Sequence, residues 1–189
     1  MHWTEGRLPA QPIPWELKRE RLDYGFTELE KAGYTVVNGY AAVKSPKRHK
    51  FAYQNHLWRG GDMLGLGVAS FGYFGGVHYQ NTATLDSYQS GVKGGAPPVD
   101  RAFALSSEER MIREFILQLK FGEVSIPSFQ EKFGVDLIQL FQQLLHELQD
   151  KGLACISSSH IRLTRDGLLR VDRLLPLFYA ETYRGARYT

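Results

Sequence analysis

Between Trp58 and Asn81 the chain reads WRGGDMLGLGVASFGYFGGVHYQN, and the side chains able to do chemistry there are Asp62, Ser70, His78, Gln80 and Asn81. Glycines at 60, 61, 65, 67, 72, 75 and 76 separate them, while Trp58, Met63, Leu64, Leu66, Val68 and Phe71 supply apolar bulk. Glycine permits positive φ or a close backbone approach, and apolar walls with a few polar handles make a ligand pocket. A buried sheet corner has the same composition, so both readings stand. In the pocket reading His78 acts as a ligand or acid and the amides donate hydrogen bonds; in the other they satisfy a strand end. Asp62 either orients Arg59 or accepts backbone hydrogens at a turn, and Trp58, Phe71 and His56 either cover a flat ligand or pack a core.

No independent catalytic set accompanies these residues. The chain has no serine, histidine and acid at motif spacing, no HExxH, no phosphate loop and no glycine-serine elbow. Gly65-Leu66-Gly67 falls one glycine short of the dinucleotide fingerprint and has no helix opening after it, which excludes a nicotinamide site. One cysteine, Cys155, excludes an internal disulfide framework and cannot by itself hold a zinc ion or an iron–sulfur cluster. Set between Ala154 and Ile156, it reads as a buried strand thiol. No residue is therefore assigned a catalytic, cofactor-binding or metal-ligating role.

Apolar content of 43% and charged content of 23% describe an ordinary folded chain of 189 residues, long enough for two small domains. No apolar run approaches a membrane span, and the opening MHWTEGRLPAQP lacks the basic and apolar regions of a secretory signal, so a cytoplasmic protein without a membrane partner is expected. The net charge of +3 is spread among acids and does not demand nucleic acid; the basic run KSPKRHK at 44–50 reads as a solvated loop.

The elements that must position the run follow from periodicity. An extended lead-in reaches about Ile13, and Pro14 opens a helix to Ala32 with Leu22, Phe26 and Leu29 on one face, stopped by Gly33. YTVVNGYAAVK reads as one long strand bulged at Asn38-Gly39, although that dipeptide also suits a hairpin turn. A further strand is expected from Phe51 to Trp58, a short helix from Thr84 to Val92, and a linker at Gly94 to Asp100. Beyond it, Ser106 and Glu109 have capping-box spacing, a short helix follows Pro127, and one apolar-striped helix runs from Asp136 to Lys151. LACIS and HIRLT form two strands, and Thr164 caps a last helix carrying Leu168, Val171, Leu174, Leu175 and Phe178. Tyr179, Tyr183 and Tyr188 with Arg184 and Arg187 form a tail without an assigned role.

This order is winged-helix-like, which invites a DNA-binding reading. The would-be recognition helix carries Asp136, Glu147 and Asp150 against Lys151 alone, the wrong charge for phosphate contact. A protein-contact module is the remaining non-enzymatic alternative.

Several ordered segments together resemble one family. GYTVVNGYAAVK at 33–44, LWRGGDMLGLGVASFG at 57–72, GVHYQN at 76–81, then SSEERMIREFILQLKFGEVS, FQEKFGV, KGL and IRLTRDGLLRVDRLL are similar to the C-terminal part of oxygen-independent coproporphyrinogen III oxidase-like radical SAM proteins, including haem-chaperone and haem-processing relatives. The resemblance implies an α+β fold: mixed or antiparallel strands from the end of a partial α/β barrel at 1–95, a winged-helix-like domain at 96–180 and a tail at 181–189. It implies a [4Fe-4S] cluster on a CxxxCxxC motif and S-adenosylmethionine in a full-length parent, but that motif is absent here. The chain reads as the accessory, substrate-side part of such an oxidoreductase-like protein, inactive alone and packing on the barrel in cis. The partner implied is a tetrapyrrole, porphyrinogen or haem, held by Trp58, Asp62, Ser70, Phe71, His78, Gln80 and Asn81. Ser70-Phe71-Gly72 is closer to the haem-processing relatives than to the biosynthetic oxidases. Without the barrel, bared apolar surface is expected to drive self-association.

Overall fold

The computed structural model describes residues 13–183, so the lead-in before Ile13 and Arg184, Arg187 and Tyr188 of the tail lie outside the described residues. Helix α1, Trp15–Lys31, begins directly after Pro14 and ends at Ala32 and Gly33, whose φ of +83° suits glycine. Of its expected apolar face, Phe26 is buried while Leu22 and Leu29 stay exposed.

The stretch expected to be one bulged strand is instead a hairpin. Strands β1, Thr35–Asn38, and β2, Ala41–Val43, pair antiparallel, with an irregularity between Val36 and Asn38. Buried Asn38 makes the turn itself, its Oδ1 accepting the Tyr40 amide at 2.9 Å. The segment expected as a strand from Phe51 is helix α2, Ala52–Trp58. Its half-buried residues, 54, 55, 57 and 58, fall on one helical face and do not alternate as a strand requires.

The glycine-rich run is not a continuous strand. Residues 59–70 form a loop, joined to the sheet by a bridge between Met63 and Tyr73, and regular pairing begins at β3, Phe71–Phe74, and β4, Val77–Asn81. Helix α3, Leu85–Lys93, starts at the expected cap, Thr84, which accepts the Ser87 amide. The expected linker ends early: Val99 and Asp100 already belong to β5, Val99–Ala104, which pairs with β4 to complete an antiparallel sheet in the order β3-β4-β5.

Helix α4, Ser107–Leu119, opens with the full capping box from Ser106 and Glu109. Then follow β6, Glu123–Ser125, and α5, Ile126–Phe133. The helix expected over Asp136 to Lys151 is broken at Phe141 (φ −111°, ψ 23°) into α6, Leu137–Leu140, and α7, Gln142–Asp150. The break sets the Phe141 ring between Phe115 and Phe178, at centroid distances of 4.8 and 5.1 Å.

Strands β7, Ala154–Ile156, and β8, His160–Leu163, make an antiparallel sheet with β6 in the order β6-β8-β7. Cys155 is exposed rather than buried, because Ala154 takes the inward position and alternation turns its neighbour outward. The last expected helix is split into α8, Arg165–Leu168, α9, Val171–Leu174, and a 3-10 turn at Leu175–Phe178 containing Pro176, which has no N–H to continue a helix.

The buried apolar cluster lies wholly within residues 111–178, centred on Phe115, Leu119, Val124, Phe129, Leu137 and Ile161. Arg165 ties α1 to it by ion pairs to Asp23 (2.7 Å) and Glu30 (3.1 Å), its guanidinium over the Phe26 ring. The Tyr40 hydroxyl donates to Asp172, tying down the hairpin, and burial followed by that carboxylate pushes the phenol pKa up. The basic run at 44–50 is exposed, as expected, except for half-buried Ser45. Among the described residues no helix is long and apolar enough to cross a membrane.

Candidate functional site

Register and pleat decide which candidate residues share a face. Across the sheet Phe71 lies opposite Gln80, and Gln80 opposite Arg101; one step along, Tyr73 lies opposite His78, and His78 opposite Phe103. Because alternate residues share a face, these six form a grid of two rows and three columns. Five of them, all but Tyr73, line a shallow groove of about 230 Å³. Phe71 and Phe103 are 61% and 51% exposed, large apolar rings left in water at the groove's ends.

Helix α4 covers one corner of the grid. The Arg113 guanidinium lies 3.7 Å from the centroid of the buried Tyr73 ring, a cation–π stack, and its Nε donates to His78 Nε2 at 3.1 Å. Partial burial, and then the neighbouring guanidinium, hold the His78 pKa below the ordinary histidine value. An imidazole that accepts at Nε2 is neutral and carries its proton on Nδ1. Burial likewise lowers the Arg113 pKa, countered by Tyr73 and Glu114, yet a guanidinium stays protonated at neutral pH. At the opposite corner Arg101 Nε donates to Gln80 Oε1 at 2.8 Å, and Gln80 Nε2 donates to the Ala69 carbonyl at 3.2 Å.

The other candidates hold the glycine loop. Asn81 is 3% exposed, and its Nδ2 donates to the carbonyls of Gly65 (2.9 Å) and Gly67 (3.0 Å). The amides of the same two glycines donate to the hydroxyls of Tyr79 and Tyr88. Ser70 Oγ donates to the Leu66 carbonyl, and Asp62 Oδ1 accepts the Gly75 amide at 3.0 Å, the turn role and not an ion pair with Arg59. A Cβ on Gly65 would collide with the Phe71 carbonyl oxygen, so the close approach requires glycine there. The loop, pinned at both ends, leaves Leu64 and Leu66 exposed.

Trp58 stands apart from both groups. It ends α2 edge-on to Phe121 (4.7 Å) and Tyr40 (6.0 Å), with Lys120 5.8 Å from its ring. The structure thus gathers Phe71, His78 and Gln80 on the open face, sets Asp62, Ser70 and Asn81 to shaping the loop, and leaves Trp58 between α2 and the end of α4.

Sequence reasoning missed Tyr73, Arg101, Phe103 and Arg113. The strand carrying Arg101 and Phe103 is hidden by the two preceding prolines and by a register shift that sets Val99 and Arg101 opposite adjacent residues of β4, and Arg113 lies beside the apolar stripe that marks α4.

Comparison with known proteins finds relatives of this chain. Residues 105–170 match the family model described as the HemN C-terminal domain. The chain is 28% identical to the heme chaperone HemW of Bacillus subtilis, over 94% of this chain and 46% of that protein. It is also 28% identical to the oxygen-independent coproporphyrinogen III oxidases of Helicobacter pylori and Pseudomonas aeruginosa, over 90% and 91% of this chain and 40% and 41% of theirs. The chain therefore spans less than half the length of these relatives. Its fold matches that of a solved structure, coproporphyrinogen III oxidase (HemN) from Escherichia coli, described as a radical SAM enzyme, with a TM-score of 0.68 and 20% identity over 88% of this chain and 42% of that one.

Proposed function

We propose that this chain, which carries a HemN C-terminal domain and whose homologues are a haem chaperone and oxygen-independent coproporphyrinogen III oxidases, is the tetrapyrrole-facing part of a larger radical SAM-type protein. The observation that carries the reading is the open β3–β4–β5 face, where exposed Phe71 and Phe103 flank His78 and Gln80 on a nearly flat surface. Both rings are already about half covered, so burying the rest under a macrocycle stabilises the complex by about 1 kcal/mol per ring. In this arrangement His78 contributes an Nδ1–H donor, since Nε2 is occupied by Arg113. Asp62, Ser70 and Asn81 act indirectly, by fixing the glycine loop beside the ligand, and Trp58 anchors α2.

The architecture in this reading is the end of a partial α/β barrel over 1–95 joined to a winged-helix-like domain over 96–180, with β5 crossing back to complete the first sheet. The order α4, α5, α7 and the sheet β6-β8-β7 support the second part. The acidic charges of α7 weigh against nucleic acid, Glu147 and Asp150 being paired on the surface with Lys151 and His146.

The residues of this chain do not fit a [4Fe-4S] cluster. Such a cluster takes several cysteine thiolates; the chain has one cysteine, exposed on β7, and among the described residues no group of three or more histidine, cysteine and acidic side chains could hold a metal ion. Any cluster and S-adenosylmethionine chemistry thus belongs, in this proposal, to a barrel segment outside the chain, and no step is assigned to residues here.

Haemin titrated into the purified chain and followed at its Soret band tests the reading. A saturable band shift is expected, weakened at least tenfold when Phe71→Ala and Phe103→Ala remove both rings, given about 1 kcal/mol per ring. An unchanged Soret band over unaltered tryptophan fluorescence would sink it.

A further inference from the structure

We propose that Arg101 and Arg113 are preset carboxylate receptors at opposite corners of the β3–β4–β5 face, orienting a planar polycarboxylate ligand by its acid groups. This rests on the tetrapyrrole reading of the face and adds to it the residues that read the ligand's charge.

Both guanidiniums are fixed in the same way. Each uses its Nε–H on a neutral acceptor, Gln80 Oε1 for Arg101 and His78 Nε2 for Arg113. Arg113 is further held flat on Tyr73. Among the described residues neither guanidinium has a carboxylate partner, and the hydrogen bonds of both run from Nε, not from the terminal Nη groups. Elsewhere arginines as firmly placed are committed to acids: Arg162 to Glu123, Arg165 to Asp23 and Glu30, Arg170 to Asp166. A guanidinium oriented by a neutral partner keeps its whole charge and its planar fork for an incoming group, and the fork matches a carboxylate in bidentate geometry.

The nearby acids do not compete for them. Asp100, beside Arg101 at the register shift of β5, forms no ion pair with it, the Arg101 Nε bonding Gln80 instead. Glu114 follows Arg113 but is buried and bonded to Lys132 and Gln118. Glu109, one turn earlier in α4, is occupied by the Ser106 amide and the Tyr183 hydroxyl.

Spacing defines the ligand class. Tyr73, beneath Arg113, and Arg101 are two strands and two residues apart, which standard sheet dimensions convert to roughly 12 Å between backbone positions. One carboxylate cannot bridge that span, so the ligand must carry acid groups on separate sides of a flat body. The body would lie over His78 and Gln80, between Phe71 and Phe103.

The test pairs coproporphyrin III, which carries four carboxylates, with its tetramethyl ester, titrating each into the intact 189-residue chain and into the Arg101→Gln and Arg113→Gln variants. The acid is expected to bind the wild type at least tenfold more tightly than the ester. Each substitution should weaken the acid about tenfold and leave the ester unchanged, the size of one charge-assisted hydrogen bond. Arg101→Lys and Arg113→Lys, which keep the charge without the fork, should fall between. If acid and ester bind equally and the variants change neither, the arginine assignment is wrong while the tetrapyrrole reading survives. If neither ligand binds the wild type, both fall.

Discussion

Asn81→Asp should damage the protein more than Asn81→Ala, although aspartate is the closer shape. The asparagine NH₂ group donates both of its hydrogens, to the Gly65 and Gly67 carbonyls at 2.9 and 3.0 Å, from a side chain that is 3% exposed. Alanine deletes two hydrogen bonds worth about 1 kcal/mol net each, so about 2 kcal/mol, or a factor of roughly 30 in the local opening equilibrium. Aspartate deletes the same bonds and sets a carboxylate oxygen against two carbonyl oxygens in a place water hardly reaches. That adds a further 1–2 kcal/mol or forces the acid to take up a proton. Urea unfolding of the three proteins at pH 7.5 would give the ranking, and amide exchange at Gly65 and Gly67, whose N–H groups bond to Tyr79 and Tyr88, would locate the loss. Lowering the pH toward 5 should narrow the gap between the aspartate and alanine variants, since a protonated carboxyl regains one donor. An aspartate variant as stable as wild type, or loop exchange unchanged in either variant, would refute the clamp.

Three further outcomes are expected. Lys132→Met should destabilise by about 2–3 kcal/mol, because it strands the 6%-exposed Glu114 carboxylate, and adding Glu114→Gln should recover most of the loss in thermal or urea unfolding. His78 titrates below its unfolded value near 6.5, so the unfolded chain takes up its proton first and this histidine's contribution to stability is lost as the pH falls from above that value; a stability–pH curve that keeps its full acid slope in His78→Gln would contradict the assignment. The uncovered apolar side chains of α1, among them Trp15, Leu22 and Leu29, should make the chain self-associate with rising concentration, and a monodisperse monomer in sedimentation at high concentration would count against that.

The local elements were largely legible in the residues, because their signals are short-range. Pro14 and Gly33 bracket α1, the Ser106 and Glu109 pair caps α4, Thr84 and Thr164 cap their helices, and the resemblance to coproporphyrinogen oxidase-like proteins was carried by ordered motifs. What failed were readings that periodicity cannot decide. Phe51 to Trp58 holds apolar and aromatic residues that suit strand or helix, and packing against the turn after α4 chose the helix. The stripe through Phe141 is unbroken in sequence, yet the helix breaks where that ring packs between Phe115 and Phe178.

For the site, the chain by itself determined which residue types gather near the glycines, and that too few cysteines are present for a cluster. Only the tertiary structure decided their duties. Gln80 and Asn81 are adjacent amides, but the pleat turns the first to the open face and the second into the loop, where its donors are consumed. Arg101 and Arg113 come from a strand and a helix that sequence places apart, and they border the same sheet face because β5 pairs with β4 while α4 folds back over Tyr73. Register and helix packing are long-range cooperative choices, made by burying surface that no local window of residues contains.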